Sequence, residues 1–458
     1  MYPGALLAQE ACSYQACTEL LLRMRGKLAV LIHSDRDCSN VLPKTGGRVH
    51  RELPYKFVCT NLREDELVSG HGGAKLRRAI EVVHEAMQPD LIVVLSTCPT
   101  VMIGDNLKHV AKKAARDLGI RVEAEITHGL RPVSPAEVVD TLYCLLARAA
   151  QPSGADVRRR VALVGVELRD EERTEMFAQF KTLGLDLHVV LNGSAALDVF
   201  LRAADVGLVV HPGPNMLVAY ARHAREVWQQ ATAEVPLPCG VRGCDRFWSA
   251  VAESSGYQGD PLAAMAVDRE PALAAVEATR KRLFERLGRP LRVAYNIGSV
   301  RSFDLRRLAL EELGDVPMFE ELGAAIALFI QGPQDDDNRQ RTAKVLRDLG
   351  VDLPFALFRA PNSLQGLITP GEFDVFYGAE FLRDQTSQLN LPLLHHHAEV
   401  IGLGYRAVAR NLARLEAAVG SSFYRTFAPH RAPGQDADVP RALARPSDIL
   451  APAGTAHV

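Results

Sequence analysis

Residues 89–107 read PDLIVVLSTCPTVMIGDNL. The apolar run Leu91–Leu95 is short and rich in β-branched side chains, which predicts a buried strand. Ser96 and Thr97 end the run, Cys98 follows in the loop, and the apolar spacing from Asn106 to Leu118 predicts a helix. The same order occurs upstream. Leu28–Ile32 predicts a strand, and Leu76, Ile80, Val83 and Met87 place one apolar face on a helix over Leu76–Met87. Strand, loop and amphipathic helix in alternation predict α/β architecture with parallel sheets.

The alternation recurs in three blocks. The first covers residues 1–150 and closes on the Gln151-Pro152-Ser153-Gly154 stretch, which has linker chemistry. The second covers 151–289. It predicts strands Arg160–Val166, Leu187–Leu191 and Val206–His211, with helices Glu171–Leu183 and Ser194–Ala203 between them and Pro271–Leu287 after them. The third covers 290–431. It predicts strands Leu291–Ile297, Ala325–Ile330, Phe355–Phe358, Val375–Gly378 and Leu391–His395, a helix Ser302–Leu313 and a closing helix Gly404–Val419. A Pro-, Ala- and Gly-rich tail, 432–458, reads as a C-terminal arm, extended or weakly ordered. The expected fold is three Rossmann-like parallel-sheet domains around a shared cleft.

Composition narrows the function classes. With 47% hydrophobic and 24% charged residues over 458 positions, the chain has an ordinary globular balance. Its length suits about three domains of roughly 150 residues. A net charge of −2 and the lack of a basic stripe argue against a nucleic-acid partner. No apolar run approaches the ~20 residues that span a bilayer. Glu10 and Glu19 interrupt the first twenty residues, which do not read as a signal peptide. The expectation is a cytoplasmic protein with no membrane partner.

Eight cysteines occur. In a large cytoplasmic chain they are not expected to pair as disulfides, and no CxxC spacing marks a zinc or dithiol site. Cys38 follows the strand Leu28–Ile32, and Cys98 follows Leu91–Leu95. Strand carboxyl ends of an open α/β sheet converge on one crevice, so these two thiols can approach one site, and Cys12 can join them from the helical stretch before the first strand. Thiolates are the usual ligands of iron–sulfur clusters. Three are fewer than a cubane takes, so a partner chain would supply the rest. The competing reading is three buried structural cysteines.

Cys12, LAVLIHSDRDC at 28–38, KFVCTNLREDELVSGHGGAKL at 56–76 and PDLIVVLSTCPTVMIGDNL together resemble the nitrogenase component 1 superfamily in order, spacing and context. His33 and Cys38 match its first cysteine turn, Glu64-Asp65 and Gly72-Gly73 its middle segment, and Cys98 with Ile103-Gly104-Asp105-Asn106 its last. The turn departs from the pattern at Ser34 and Asp37, where the family has glycine. That bears on backbone shape there and not on the thiol. The resemblance implies that Cys12, Cys38 and Cys98 hold part of an iron–sulfur cluster at the interface of two homologous subunits. The cluster is an eight-iron P-cluster (8Fe-7S) or a four-iron cluster (4Fe-4S), fed by an ATP-dependent iron-protein reductase dimer. Ser134, in THGLRPVSPAE, falls near a serine ligand of β-type subunits; its other reading is a helix cap before Pro135.

Three features bear on subunit type. GLVVHPGPNML at 207–217 has His211 and no cysteine where α-type subunits carry a cofactor cysteine. The stretch 234–256 and LGYRAVARNLARLE at 403–416 resemble β-type segments. The resemblance therefore implies a β-type subunit in an α2β2 heterotetramer, with a complex-iron cofactor in the α-type partner. Within the superfamily it leans to methylthio-alkane reductases, which cleave C–S bonds of methylthio compounds. The alternatives are a cofactor-assembly scaffold, a nitrogenase β subunit, or an α-type catalytic subunit with His397 as cofactor ligand.

His395, His396 and His397 end a predicted strand, where at most two of three adjacent rings face one side. Cys239 and Cys244 flank a Gly-rich turn before a helix Phe247–Ser254 and read as structural. Cys17, Cys59 and Cys144 read as core residues. Gly298 opens no GxGxxG, and no Walker A motif occurs, so nucleotide would be used by a partner.

Overall fold

The computed structural model describes residues 12–38, 56–130, 133, 135–166, 168–192, 195–213, 217–299, 313–379, 382–395, 401–421 and 443–450. The chain divides into two compact units: residues 1–167 with 185–233, and residues 168–184 with 234–458.

The first unit carries two four-stranded sheets. One is built from β1 (Leu28–His33), β2 (Phe57–Cys59), β3 (Leu91–Ser96) and β4 (Val122–Glu125), in the order β2-β1-β3-β4. All its pairings are parallel. The other is built from β5 (Arg160–Val164), β6 (Asp186–Leu191), β7 (Leu208–Pro212) and β8 (Ala231–Val235), in the order β6-β5-β7-β8, with β8 running two residues past the division between units. The second unit carries a five-stranded parallel sheet, β11-β10-β9-β12-β13. Its strands are β9 (Arg292–Ser299), β10 (Ala325–Gln331), β11 (Phe355–Phe358), β12 (Val375–Gly378) and β13 (Leu393–His395). The fold is thus α/β with three parallel sheets, as the alternation predicts.

Burial on both faces explains the uninterrupted apolar runs. Every residue of β1 and β3 is buried. Val30, Ile32, Val93 and Leu95 face one core with Leu142, Leu145 and Leu146 of the helix Pro135–Ala149. Ala29, Leu31, Ile92 and Val94 face the opposite core, against Leu76, Ile80 and Val83 of the helix Gly72–Met87 and Ala111 and Ala114 of the helix Leu107–Leu118. Asn106 is the cap of that last helix, its side chain accepting from the His109 N–H.

Some elements differ from the expectation. The helix expected from Phe247 starts at Gly240, because the Glu321 carboxylate accepts from the Val241 and Arg242 N–H groups. The helix expected from Pro271 starts at Ala266 and carries Pro271 within it. Strands β2, β4 and β8 are short, and the sequence pattern does not predict them. Part of the tail, residues 443–450, is pinned. Ala444 bridges to Phe355 antiparallel, and Ser447 and Arg445 bond Asp352. Most of the expected helix Ser302–Leu313 lies outside the described residues. Among the described residues, no helix is long and apolar enough to cross a membrane.

Candidate functional site

The carboxyl end of the first sheet gathers the expected thiols. His33 and Ser96 are partners at the ends of β1 and β3. Beyond them the two loops are tied together: Thr97 Oγ1 donates to Ser34 Oγ at 2.6 Å, and Thr100 Oγ1 donates to the His33 carbonyl at 3.1 Å. All four residues are buried, so the three hydroxyls bond protein groups instead of water. Cys98 opens the short helix Cys98–Met102, with Thr97 as its cap. Cys38 ends the turn after β1, where the Asp37 N–H bonds the Asp35 carboxylate. Cys12 is the cap of the helix Ser13–Arg23.

Gly129 marks where two of these thiols meet. Its N–H donates to Cys98 Sγ at 3.1 Å. A Cβ on Gly129 would stand 3.3 Å from Cys12 Sγ and 3.6 Å from Cys98 Sγ. Cys38 lies within electrostatic reach of both. Burial raises its thiol pKa, helped by Asp35, Cys98 and Cys12, while a hydrogen bond with Thr97 opposes the rise. Tyr14 sits behind them, its hydroxyl donating to the Cys38 carbonyl at 3.3 Å. Burial pushes its phenol well above the ordinary range, and Cys38, Cys59 and Cys12 add to the push. Cys12, Cys38 and Cys98 are each half-buried.

Among the described residues, no three His, Cys, Asp or Glu side chains are placed to ligate a single metal ion. A multi-iron cluster makes a different demand, because it spreads its thiolates over separate irons. Three half-exposed thiols at one sheet end, two of them separated by no more than a residue without a side chain, fit part of such a ligand set.

Other candidates fall elsewhere. Ser134, His396 and His397 lie outside the described residues, and His395 ends β13. Cys239 and Cys244 are fully buried in the second unit, with their thiol pKa values raised well up by burial. Cys244 donates to the Pro238 carbonyl at 3.3 Å. They read as structural. Cys17 is in the core, its pKa raised by burial to about 12. Cys59 and Cys144 are half-buried rather than core. Cys59 Sγ accepts from the Asn61 N–H at 3.3 Å and lies 3.2 Å from the Asp35 carbonyl, beside the site. His211 is buried at the end of β7.

A second feature borders the thiols. His33 Nε2 and Asp105 Oδ2 are 3.1 Å apart, and the His33 side chain is fully buried. Both line a cavity of about 290 Å³ with Ser96, Thr100 and Asn106. Gly72 makes room for the carboxylate, since a Cβ there would overlap Asp105. His33 and Asp105 both stand in the motifs quoted above, but nothing in the sequence pairs them. Nothing in the sequence marks Gly129 or Tyr14.

Comparison with known proteins places the chain in a family. Residues 12–348 match the family model for nitrogenase component 1 type oxidoreductases. The nitrogenase molybdenum-iron protein alpha chain of Clostridium pasteurianum is 31% identical over 142 residues, 29% of this chain and 26% of that one. One chain of the light-independent protochlorophyllide reductase of Chloroflexus aurantiacus is 26% identical over 214 residues, 45% of this chain and 39% of that one. The chain therefore spans less than half the length of these curated relatives. A solved structure of nitrogenase Cp1 superposes with a TM-score of 0.64 at 16% identity, covering 94% of this chain and 92% of that chain, which shows a shared fold. With a family model matched across most of its length, the chain belongs to the nitrogenase component 1 type oxidoreductases.

Proposed function

We propose that this chain is a β-type subunit of an ATP-dependent nitrogenase-like reductase, and that Cys12, Cys38 and Cys98 hold part of an iron–sulfur cluster shared with a homologous α-type subunit. The observation that carries this reading is the gathering of Cys12 and Cys98 at Gly129, with Cys38 in electrostatic reach of both. A cluster of eight or four irons, when bound, supplies one-electron transfer between the reductase dimer and the partner's cofactor. The residues of this chain would anchor and orient it. Thr97 stands between Cys38 and the buried Ser34 hydroxyl, and the Gly129 N–H points at Cys98 Sγ. Such contacts to ligand sulfurs tune cluster potential.

The β-type assignment is supported by the lack of a cysteine in 207–217. The expected reaction of the complex is reductive cleavage of a methylthio compound, which takes two electrons and two protons per C–S bond and releases methanethiol and a hydrocarbon. The chemistry of bond cleavage then belongs to the partner. A second reading is favoured by the similarity to the Clostridium pasteurianum alpha chain: an α-type subunit with His397 as cofactor ligand, which predicts that His397→Ala removes a cofactor signal and spares the shared cluster.

The test is anaerobic co-purification with the neighbouring gene products, iron counting and electron paramagnetic resonance. Cys38→Ala and Cys98→Ala should each lose the cluster signal, and the wild-type complex should release methanethiol when given the reductase, ATP and a methylthio substrate. Full cluster signal in both variants would sink the ligand assignment. Release of a matured cluster to an acceptor protein, without thioether turnover, would replace the reductase by a cofactor-assembly scaffold.

A further inference from the structure

The loop after β4, residues Ile126 to Leu130, is held on two sides through its adjacent residues Thr127 and His128 by buried or half-buried hydrogen bonds. On one side it is stapled to Ser13, the neighbour of Cys12. Ser13 Oγ donates to the His128 carbonyl at 2.9 Å, the His128 N–H donates to Ser13 Oγ at 2.8 Å, and the Ser13 N–H donates to the His128 carbonyl at 3.2 Å. On the other side it is stapled to Ser96, two residues before Cys98. Ser96 Oγ donates to the Thr127 carbonyl at 3.0 Å, the Thr127 N–H donates to Ser96 Oγ at 2.8 Å, and Thr127 Oγ1 donates to the Ser96 carbonyl at 2.6 Å. Six hydrogen bonds thus join two segments that carry thiols. Ser13 and His128 are 115 positions apart, and Ser96 and Thr127 are 31 apart. Gly129 follows directly, with its N–H on Cys98 Sγ and its missing side chain facing Cys12 Sγ.

We propose that this loop is a clasp, and that Gly129 is the positioning residue that sets the spacing of the Cys12 and Cys98 thiols toward their iron–sulfur cluster. The inference rests on the ligand assignment above. Two physical roles combine at Gly129. Its N–H is a donor to a ligand sulfur, and such a donor favours the reduced, more negative state of a cluster. Its lack of a Cβ keeps open the gap beside Cys12 Sγ. A methyl group 3.3 Å from that sulfur is closer than comfortable packing, so the thiol must yield by a few tenths of an ångström. The backbone at Gly129 is not in the left-handed region, since no positive φ occurs there. An alanine is therefore conformationally allowed, and its effect reports on the thiols rather than on backbone strain.

The experiment compares Gly129→Ala, Ser13→Ala and wild type as anaerobically co-purified complexes. Thermal unfolding, iron per complex, paramagnetic resonance and midpoint potential are read on each. In the cluster-free chain, alkylation of Cys12 and Cys98 by iodoacetamide is followed by mass spectrometry. Gly129→Ala should unfold within a few degrees of wild type, lose half or more of the cluster iron or shift the cluster to a more negative potential, and change the alkylation rate of Cys12 several-fold. Ser13→Ala adds no atoms and removes two of the three bonds on its side. It should move the same readouts in the same direction, and it carries the test if Gly129→Ala prevents assembly. Wild-type iron content, potential and alkylation in both variants would overturn the clasp. The ligand assignment fails separately, by retention of the full cluster signal in both Cys38→Ala and Cys98→Ala. Loss of the cluster there with wild-type behaviour of both clasp variants would reject the clasp alone.

Discussion

His33 Nε2 and Asp105 Oδ2 stand 3.1 Å apart at the carboxyl end of the first sheet, with the histidine ring closed off from solvent and the carboxylate seated over Gly72. Burial lowers the imidazole pKa below its ordinary 6.5, and the Asp105 hydrogen bond and charge only partly offset that. Lys75, on the helix Gly72–Met87, adds to the lowering. Among the described residues, the buried ring Nδ1 has no hydrogen-bond partner, which also favours the uncharged form.

The stability consequence has a definite sign. Between its depressed folded-state pKa and 6.5, the unfolded chain binds a proton at His33 that the folded chain does not. Stability from this group is therefore fully present above about 6.5 and lost as pH falls through the folded value. His33→Gln should flatten the dependence of melting temperature on pH between about 7.5 and 5.5 relative to wild type. An unchanged slope would show that His33 titrates normally.

Glu321 caps the helix Gly240–Ser255 across a long stretch of chain, accepting from Val241 N–H at 3.1 Å and Arg242 N–H at 2.6 Å. Its carboxylate approaches so closely because Gly240, at φ +71°, has no side chain: a Cβ would lie 3.0 Å from Glu321 Oε1. Glu321→Ala should cost about 1–2 kcal/mol, the usual loss for a helix cap. Gly240→Ala adds left-handed strain to the same contact, about 1 kcal/mol or more. Urea unfolding of the second unit's signal measures both, and a loss below about 0.5 kcal/mol for each would remove Glu321 as the cap.

Lys56 closes the other end of the helix that begins beside Cys12. Its ammonium bonds the Leu21 and Met24 carbonyls from a buried position, and burial lowers its pKa from 10.5 to about 8. The unfolded chain holds more protons at this site between about 8 and 10.5, so this group's contribution to stability rises with pH across that window. The difference in unfolding free energy between wild type and Lys56→Met should therefore change in favour of wild type from about pH 8 to about pH 10, taken as a difference so that other titrating groups cancel. A constant difference would place the lysine pKa at its ordinary value.

Cys239 and Cys244 provide the contrast to the half-buried Cys12, Cys38 and Cys98. Both are fully buried, with their protons favoured by burial and by nearby carboxylates, Asp315 beside Cys239 and Glu175 beside Cys244. Cys239→Ala and Cys244→Ala should leave iron per complex unchanged and cost about 1 kcal/mol each through lost packing. Loss of iron in either would bring a site in the second unit into play.

The architecture was legible because strands buried on both faces need uninterrupted apolar runs. Leu28–Ile32, Leu91–Leu95, Phe355–Phe358 and Val375–Gly378 are all strands, within a residue of the expected ends. Helices with one apolar stripe were legible for the matching reason: the helix expected over Leu76–Met87 is there, starting one turn earlier at Gly72. Strands β2 and β4, three and four residues long, carry too few side chains to show a period. Cys59 reads as a core residue for the same reason: without β2, nothing signals that it stands beside Asp35 at the sheet end.

Residue order and apolar patterning are enough to say which residues bear thiols, that Cys38 and Cys98 each follow a strand, and therefore that both belong at the carboxyl end of one parallel sheet. It takes the folded chain to show that Cys12 joins Cys98 at Gly129, that His33 pairs with Asp105, and that a helix begins at Gly240 under Glu321. The physical reason is range. Strand and helix periodicity is written in residues a few positions apart, whereas these contacts are made by polar groups far apart in the chain, which meet once the apolar faces have packed and their hydrogen bonds have no water left to replace them.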